Sequence, residues 1–582
     1  MKKLLSLALA LALFATAACA CAKNEESSAN SKKEESSSNE KKPVYTKKEV
    51  NAYPLNEEKP IVFNCLFSDA LPEVPFTDAE DYLNQLFVKK VDCKKGENGT
   101  FTFTNQGGAI TVDADKDIIS SDCIEAFAVA ECKPYAEYFE ADYIKNKGNS
   151  TDDEIKPFSI DLSKYGIDVV ESDGKVYLPF CTLGDLFADI GCGVVYKDGE
   201  LFFKSTSDLI NSGSGHAKLG DTRTKEMADF SYRELCMTMD TVYGLPSMSR
   251  LTPSIREKGF DEALSSYNSV TPRIKELLHS ESIKDYCKGM RLLNYYLFDG
   301  GHTQMDYGLE RMMEKYGIPN AAGVAEELLD ESEPERAKIR ADVNEKLEMT
   351  EMKSSLVAEK TAAYEKLELV LSGDGTALYR SGDTYFFDFN SFKNAVVKPF
   401  KEALDYAKDH NAKNFVIDLS TNGGGGDYIV NYMLAVILGE DTHFNKSIAS
   451  GSTVKTNILV DKNLDGKFDE KDDAVKYDFR FAVITSKYSY SNANCMPCAA
   501  QDGGVAILGE SSGGGSCVIS GHFTPDGILY SISGSSLDIH PNGEDVDAGT
   551  APDTALSGAK EGYKGFYDID AINKGIDAFY NK

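Results

Sequence analysis

Residues 415–428 read FVIDLSTNGGGGDY. Phe415–Leu419 is a short apolar run of the kind that forms a strand buried on both faces. Gly423–Gly426 follow it, and Asp427–Leu438 then reads as a helix closed by Gly439 at a C-cap position. Strand, glycine turn and helix in succession are the unit of an α/β sheet. Glycines at that place let backbone N–H groups approach a ligand closely. Donors between a strand end and a helix start suit an anion or an oxyanion. A phosphate loop is excluded, because no Gly-Lys-Ser/Thr ending is present.

The alternation continues on both sides of this stretch. Thr384–Phe389 is β-like, and Phe392, Val396, Phe400 and Leu404 recur at fours on a helix that Pro399 is expected to kink. Phe479–Thr485 and Val505–Leu508 are further apolar strands, and Ile528–Ser533 alternates. Residues 376–582 therefore read as an α/β core. Before it, residues 221–375 read as a helical subdomain. Its charged part, EELLDESEPERAKIRADVNEKLE, is either a solvated face or an inserted helical pair. Residues 54–205 read as α+β, ending in YLPFCTLGDLFADIGCGVVYKDGELFF, a strand, a helix and a hairpin turning through Lys197–Glu200. That segment resembles the stalk-like module named after the N-terminal domain of copper amine oxidases, and the likeness implies no copper chemistry.

The first 18 residues, MKKLLSLALALALFATAA, combine two lysines with fifteen apolar-rich residues, too short for the ~20 that cross a bilayer. They read as a signal peptide. Cys19 after Ala17 and Ala18 resembles the acceptor of a bacterial lipoprotein box, with Cys21 as a fallback and free secretion as the alternative. Residues 19–53 read as lipidated Cys plus a Ser/Lys/Glu-rich disordered tether. The expected location is extracytoplasmic, anchored by lipid to a bacterial cytoplasmic membrane. Across 582 residues the formal net charge is −31, which argues against nucleic acid as a partner, since phosphate binding needs clustered Lys and Arg.

Two segments give the glycine turn a chemical context. DGGHTQM (Asp299–Met305) places His302 after a helix. Residues 480–516 contain an apolar strand, SKYSYSNANCMPCAA, a second strand and GESSGGGS. With Ala551-Pro552-Asp553 after them, these stretches resemble, in order, the tail-specific or C-terminal-processing serine peptidases and their tricorn-core relatives. The resemblance implies a crotonase- and caseinolytic-protease-like α/β spiral core. It implies a nucleophile at Ser491, with Ser489 as the rival. The oxyanion hole would combine the Asn492 amide with a glycine amide from Gly423, Gly424 or Gly425. Better-known members use a Lys base, but the matching run Ser511–Ser516 holds none. The His-using branch instead points to His302, whose ordinary pKa of ~6.5 suits proton transfer near neutrality. A carboxylate is expected to orient it by triad logic, with Asp547 the choice and Glu544 and Asp545 the rivals. Protein or peptide would be the substrate.

DKNLDGKFDEKDD (Asp461–Asp473) stands apart from that resemblance. Asp461, Asn463 and Asp465 fall at positions 1, 3 and 5 of a twelve-residue loop, with Gly466 at the turn. The Lys467 carbonyl, Asp469 and Asp472 fall at 7, 9 and 12. Oxygen donors in this order suit a structural Ca²⁺. The alternative is a plain acidic hairpin. Cys495-Met-Pro-Cys498 reads as buried free thiols, since a zinc site needs two further close ligands that the local sequence does not offer. Besides the peptidase, two readings remain: an inactive peptide- or glycan-binding surface lipoprotein, and a Ca²⁺-dependent adhesin.

Overall fold

The computed structural model describes residues 43–581 except 106–107, 125–126, 128–132, 134–141, 151–155, 206–218 and 440–441. The signal peptide, Cys19, Cys21 and the tether as far as residue 42 lie outside the described residues.

Five parallel strands form the frame of the core sheet. Thr384–Phe389 pairs in parallel with Asn414–Asp418, which pairs with Arg480–Thr485, then Ala506–Gly509, then Thr554–Ala555. Two antiparallel strands, Glu368–Gly373 and Thr376–Ser381, extend the other edge. Parallel neighbours need a crossover, and helices supply it. Val397–Asp409 bridges the first pair, while Asp427–Leu438 and Asn492–Asp502 follow the second and third strands. Phe415, Val416 and Ile417 are wholly buried, as expected of a strand covered on both faces. The fold is α/β.

Pro399 does not kink its helix. It is the third residue of Val397–Asp409, within the first turn, where no intrahelical amide bond is lost. The charged stretch is a helical pair, Ala321–Leu328 and the 31-residue helix Pro334–Tyr364. The long helix buries only Ile339, Leu356, Lys360 and Tyr364, so it is solvated over most of its length. Among the described residues, no helix is long and apolar enough to cross a membrane.

The tether reading fails at its far end. Tyr45–Tyr53 is a strand inside a seven-stranded sheet, antiparallel to Ile61–Ser68 and parallel to Glu200–Ser205. Lys47, Lys48 and Glu49 are exposed on it, and Val50 and Ala52 are buried. Too few apolar residues alternate for the strand to stand out from the polar run before it.

A five-stranded antiparallel sheet of Cys517–Phe523, Leu529–Asp538, Thr442–Ser447, Thr453–Val460 and Ile144–Ser150 flanks the core. Its strand Cys517–Phe523 is tied to the N-terminal region through a buried chain. His522 Nε2 lies 2.9 Å from Ser520 Oγ, and His522 Nδ1 lies 2.8 Å from Asp185 Oδ1.

Candidate active site

Parallel sheets collect functional groups beyond the carboxyl ends of their strands. Here the strand ending at Asp418 leads into Gly423–Gly426, the strand ending at Thr485 leads to Ser491, and the strand ending at Gly509 leads into the run 510–516. These three turns meet.

Ser491 sits immediately before the helix Asn492–Asp502 at φ 57° and ψ −129°. A non-glycine residue held at positive φ costs of order 1–3 kcal/mol, and such strain gathers at functional sites. Its surroundings hold it there. The Ser491 amide donates to the Gly514 carbonyl at 2.9 Å, and its own carbonyl accepts from the Asn494 and Cys495 amides. Asn492 Nδ2 donates to the Gly425 carbonyl at 2.6 Å, fastening the helix start to the glycine turn. Ser491 is partly exposed. Ser489 is fully buried, and its hydroxyl donates to the Leu419 carbonyl at 2.7 Å while accepting the Ser486 amide. Ser489 is thus a brace of the turn, and Ser491 is the open hydroxyl.

Of the expected oxyanion donors, Gly424 drops out. Its amide donates to Asn422 Oδ1 at 2.8 Å. Its place is steric: at φ +103°, a Cβ on Gly424 would lie 2.7 Å from Ser491 Cβ and 2.8 Å from the Tyr490 carbonyl oxygen. Gly423 and Gly425 are exposed beside it, and Asn492 is partly exposed at the first helical position. The helix start adds its partial positive charge there.

The His302 loop is strapped to the strand Leu529–Asp538. Ser531 donates its hydroxyl to the His302 carbonyl at 2.8 Å, and Gln304 exchanges backbone bonds with Ser531. Asp299, almost fully buried, accepts from the Gly301 and Thr303 amides and from the Thr303 and Ser533 hydroxyls. The His302 ring meets the Tyr490 ring edge-on at 4.9 Å, which places it beside the residue preceding Ser491. Tyr490 donates its hydroxyl to the Asp299 carbonyl at 2.9 Å. No hydrogen bond joins His302 to Ser491, and Nδ1 of His302 is buried without a partner.

Asp547 does not grip His302 directly. Its Oδ2 accepts the Ser247 amide and hydroxyl at 2.6 and 2.7 Å, and its Oδ1 accepts the Ser516 amide at 3.1 Å. It acts on His302 through its charge, and Asp299 acts more strongly. Of the rivals, Glu544 and Asp545 lie in the turn after His540, where Asp545 accepts the Asp547 amide at 2.7 Å. Burial lowers the His302 pKa from its ordinary value, against the upward pull of Asp299, Asp547 and the Cys517 backbone.

Sequence reading missed the support beneath the glycine turn. Lys360, from the long helix, is buried and places Nζ 2.7 Å from Asp388 Oδ1 and 2.5 Å from Thr421 Oγ1. Asp388 and Asp418 pair across adjacent strands. Tyr364, one helical turn after Lys360, donates to Asp418 Oδ2 at 2.7 Å. Burial works against the charge on Lys360, but Asp418 and Asp388 outweigh it and raise its pKa. A lone lysine on a charged helix carries no sequence signal for this; only the packing of the helix against the sheet reveals it.

In the loop 461–472, Asp461 and Asp472 are buried. Asp461 accepts the Gly466 amide at 2.7 Å, Asn463 Oδ1 accepts the Asp465 amide at 2.8 Å, and Asp465 accepts the Lys467 amide. Asp469 caps the short helix that follows and forms a reciprocal box with Asp472. Gly466 takes φ 81° at the turn. The donor set is all oxygen and its turn is already folded, which fits a hard cation; the carboxylates themselves are not drawn together on one point.

Residues 386–556 match the model described as Peptidase family S41. This bears out the resemblance to that family; the matched segment takes in the core strands, the glycine turn and the position of Ser491, while His302 lies outside it. Among curated proteins none matches. Three of the solved structures that it is similar to are the following. The photosystem II D1 C-terminal processing protease is 18% identical at a TM-score of 0.25, over 30% of this chain and 42% of that one. A lipoprotein from Streptococcus agalactiae is 18% identical at 0.24, over 33% and 69%. The tricorn protease is 16% identical at 0.24, over 34% and 18%. The chain thus spans less than half the length of the first and about a fifth of the last.

Two outcomes follow from this geometry. Ser491→Gly relieves the positive-φ strain and Ser491→Ala does not, so the Gly variant should be more stable than the Ala variant by about 1 kcal/mol in urea unfolding; equal midpoints would contradict the strained turn. Because His302 takes its proton at lower pH in the folded chain than its ordinary value of ~6.5, the unfolded chain protonates first. Its neutral form then persists below pH 6.5, and its contribution to stability is lost as pH falls from there through the lowered folded value. The acid limb of kcat/KM for peptide hydrolysis should therefore lie below pH 6.5, and a limb above 7 would exclude His302 as the titrating base.

Proposed function

We propose that the chain is a serine peptidase acting on proteins or peptides outside the cytoplasm, lipid-anchored through Cys19. The observation that carries the catalytic part is the strained, partly exposed Ser491 at a helix start, pressed against the glycine turn. Ser491 Oγ attacks the scissile carbonyl. His302 takes the hydroxyl proton and returns it to the leaving amine. Asp299 and Asp547 stabilise the imidazolium that forms between these steps through their charge. The Asn492 amide and the exposed amides of Gly423 and Gly425 hold the tetrahedral oxyanion, and the dipole of the helix Asn492–Asp502 adds to that field. Removing one donor of this kind costs about 10²–10³ in kcat. The C-terminal-processing subtype is the finer reading, supported by the order of the four motifs.

A fluorophosphonate probe should label Ser491, and Ser491→Ala should lose peptide turnover by at least about 10³-fold with its circular dichroism unchanged. Turnover like that of the unaltered chain in the Ala variant would return the protein to the binding-lipoprotein reading.

The loop 461–472 is read as a structural Ca²⁺ site, supported by its all-oxygen donor set and its folded turn. Its place is just before the strand that leads to Ser491. Titration calorimetry should give one Ca²⁺ equivalent that Asp461→Ala abolishes. Identical isotherms for the two would make the loop an ordinary acidic hairpin.

A further inference from the structure

The helix Asn492–Asp502 presents a second set of reactive groups further along its length. Cys495, Cys498 and Asp502 stand three and four residues apart, which stacks them along one helical face. His540 reaches the same face from the turn after the strand Leu529–Asp538. Its backbone is pinned there, the amide donating to the Glu544 carbonyl and the carbonyl accepting the Gly543 amide. His540 Nδ1 lies 2.8 Å from Asp502 Oδ2, and Cys498 Sγ lies 3.4 Å from each ring nitrogen. All three ligand atoms fall within 4.8 Å of one another, the one such group among the described residues. Cys495, Cys498, Asp502, Asp538 and Asn492 line a common cavity. The sequence offered the two cysteines and no partners because His540 is 42 residues from Cys498 and joins it only in the fold.

We propose that Cys498, Asp502 and His540 hold a zinc-class divalent cation, with the fourth position open to water or to Cys495. The donor chemistry selects the ion: sulfur, imidazole and one carboxylate favour Zn²⁺ over Ca²⁺ or Mg²⁺, which take oxygen shells. The spacing fits. Ligands bound at 2.0–2.3 Å around a tetrahedral ion are roughly 3.4 Å apart, so Cys498 Sγ already stands at that distance from Nδ1, and the Asp502–His540 edge opens by a few tenths of an ångström when Nδ1 is the ligand. Access is present, because Asp502 and His540 side chains are 38% and 25% exposed while Cys498 lies at the cavity's inner wall. On binding, the thiol releases its proton to solvent and the thiolate becomes the ligand. Thiolate, carboxylate and ion then sum to neutrality, which suits a half-buried site.

The ion would staple the helix that begins after Ser491 to the segment 540–547, whose far end carries Asp547. It would also sit on the wall of the cavity that begins at Asn492. The site does not depend on the peptidase reading, and its test reads the metal rather than peptide hydrolysis.

The full chain, reduced and stripped of metal, is titrated with Co²⁺. One equivalent should bind with thiolate-to-cobalt charge-transfer absorption. Zn²⁺ should bleach that band and Ca²⁺ should not. Cys498→Ser should abolish the band, and His540→Ala and Asp502→Asn should each weaken Co²⁺ affinity by at least about tenfold. Zn²⁺ should raise the thermal midpoint of the unaltered chain and leave that of Cys498→Ser in place. Absence of the band, or its persistence in Cys498→Ser, overturns the site. Should Cys498→Ser fail to fold, the exposed Asp502→Asn carries the test, and unchanged affinity there is equally fatal.

Discussion

The site depends on one steric constraint: three turns converge where no Cβ fits. Gly424 has no room for a side chain against Ser491 and the Tyr490 carbonyl. Gly300, at φ +107°, would drive a Cβ to 2.5 Å from the Tyr490 ring, and Gly515, at φ +84°, would do the same. The three glycines come from the glycine turn, the His302 loop and the run after Gly509. Each brings one functional group or one brace to Ser491. A methyl group at any of them would push the Ser491 turn away from a partner, so the arrangement is set by backbone approach before any side-chain chemistry begins.

The second layer is electrostatic. Near the ends of two parallel strands the partly buried Asp388 lies beside the buried Asp418, and adjacent carboxylates repel. Lys360 lies between them and Thr421, the residue that starts the turn toward Gly423. Breaking such a buried arrangement by removing one partner costs about 3–5 kcal/mol, because the remaining charges stay buried. This explains why a helix that is solvated for most of its 31 residues ends against the sheet. Its last two turns carry the counter-charge and the Tyr364 hydroxyl that the strand ends require.

The core was legible in sequence because its signals are local. An apolar run of five, four glycines and a helix describe one βα unit without reference to the rest of the chain, and Ser491 follows a strand in the same way. What could not be read depends on distance. The Asn422 side chain occupies the Gly424 amide, and Ser247 and Ser516 occupy Asp547; neither relation has a sequence period. The strand Tyr45–Tyr53 was hidden for a different reason. Its exposed face is as charged as the tether before it, so composition alone assigned it to the tether. Pro399 was misread because its effect depends on where the helix starts, and propensity fixes helix ends poorly.

Two histidines lie near serines, and hydrogen bonding alone would favour His522 over the proposed base His302. His522 has the geometry of a relay, with Ser520 on one nitrogen and Asp185 on the other. His302 has no such bond to Ser491. Yet Ser520 is fully buried, with His522 and Asp185 at 1% and 2% exposure, so no peptide carbonyl reaches that hydroxyl. A satisfied, dry chain of this kind ties the N-terminal region to the flanking sheet and stays closed. Ser491 is strained and partly exposed beside the exposed Gly423 and Gly425, and the His302 ring, its Nδ1 unpartnered, packs edge-on against Tyr490, the residue before Ser491. Without substrate, catalytic hydrogen bonds are often long and tighten only in the complex. The missing His302–Ser491 bond therefore does not count against the proposed pair.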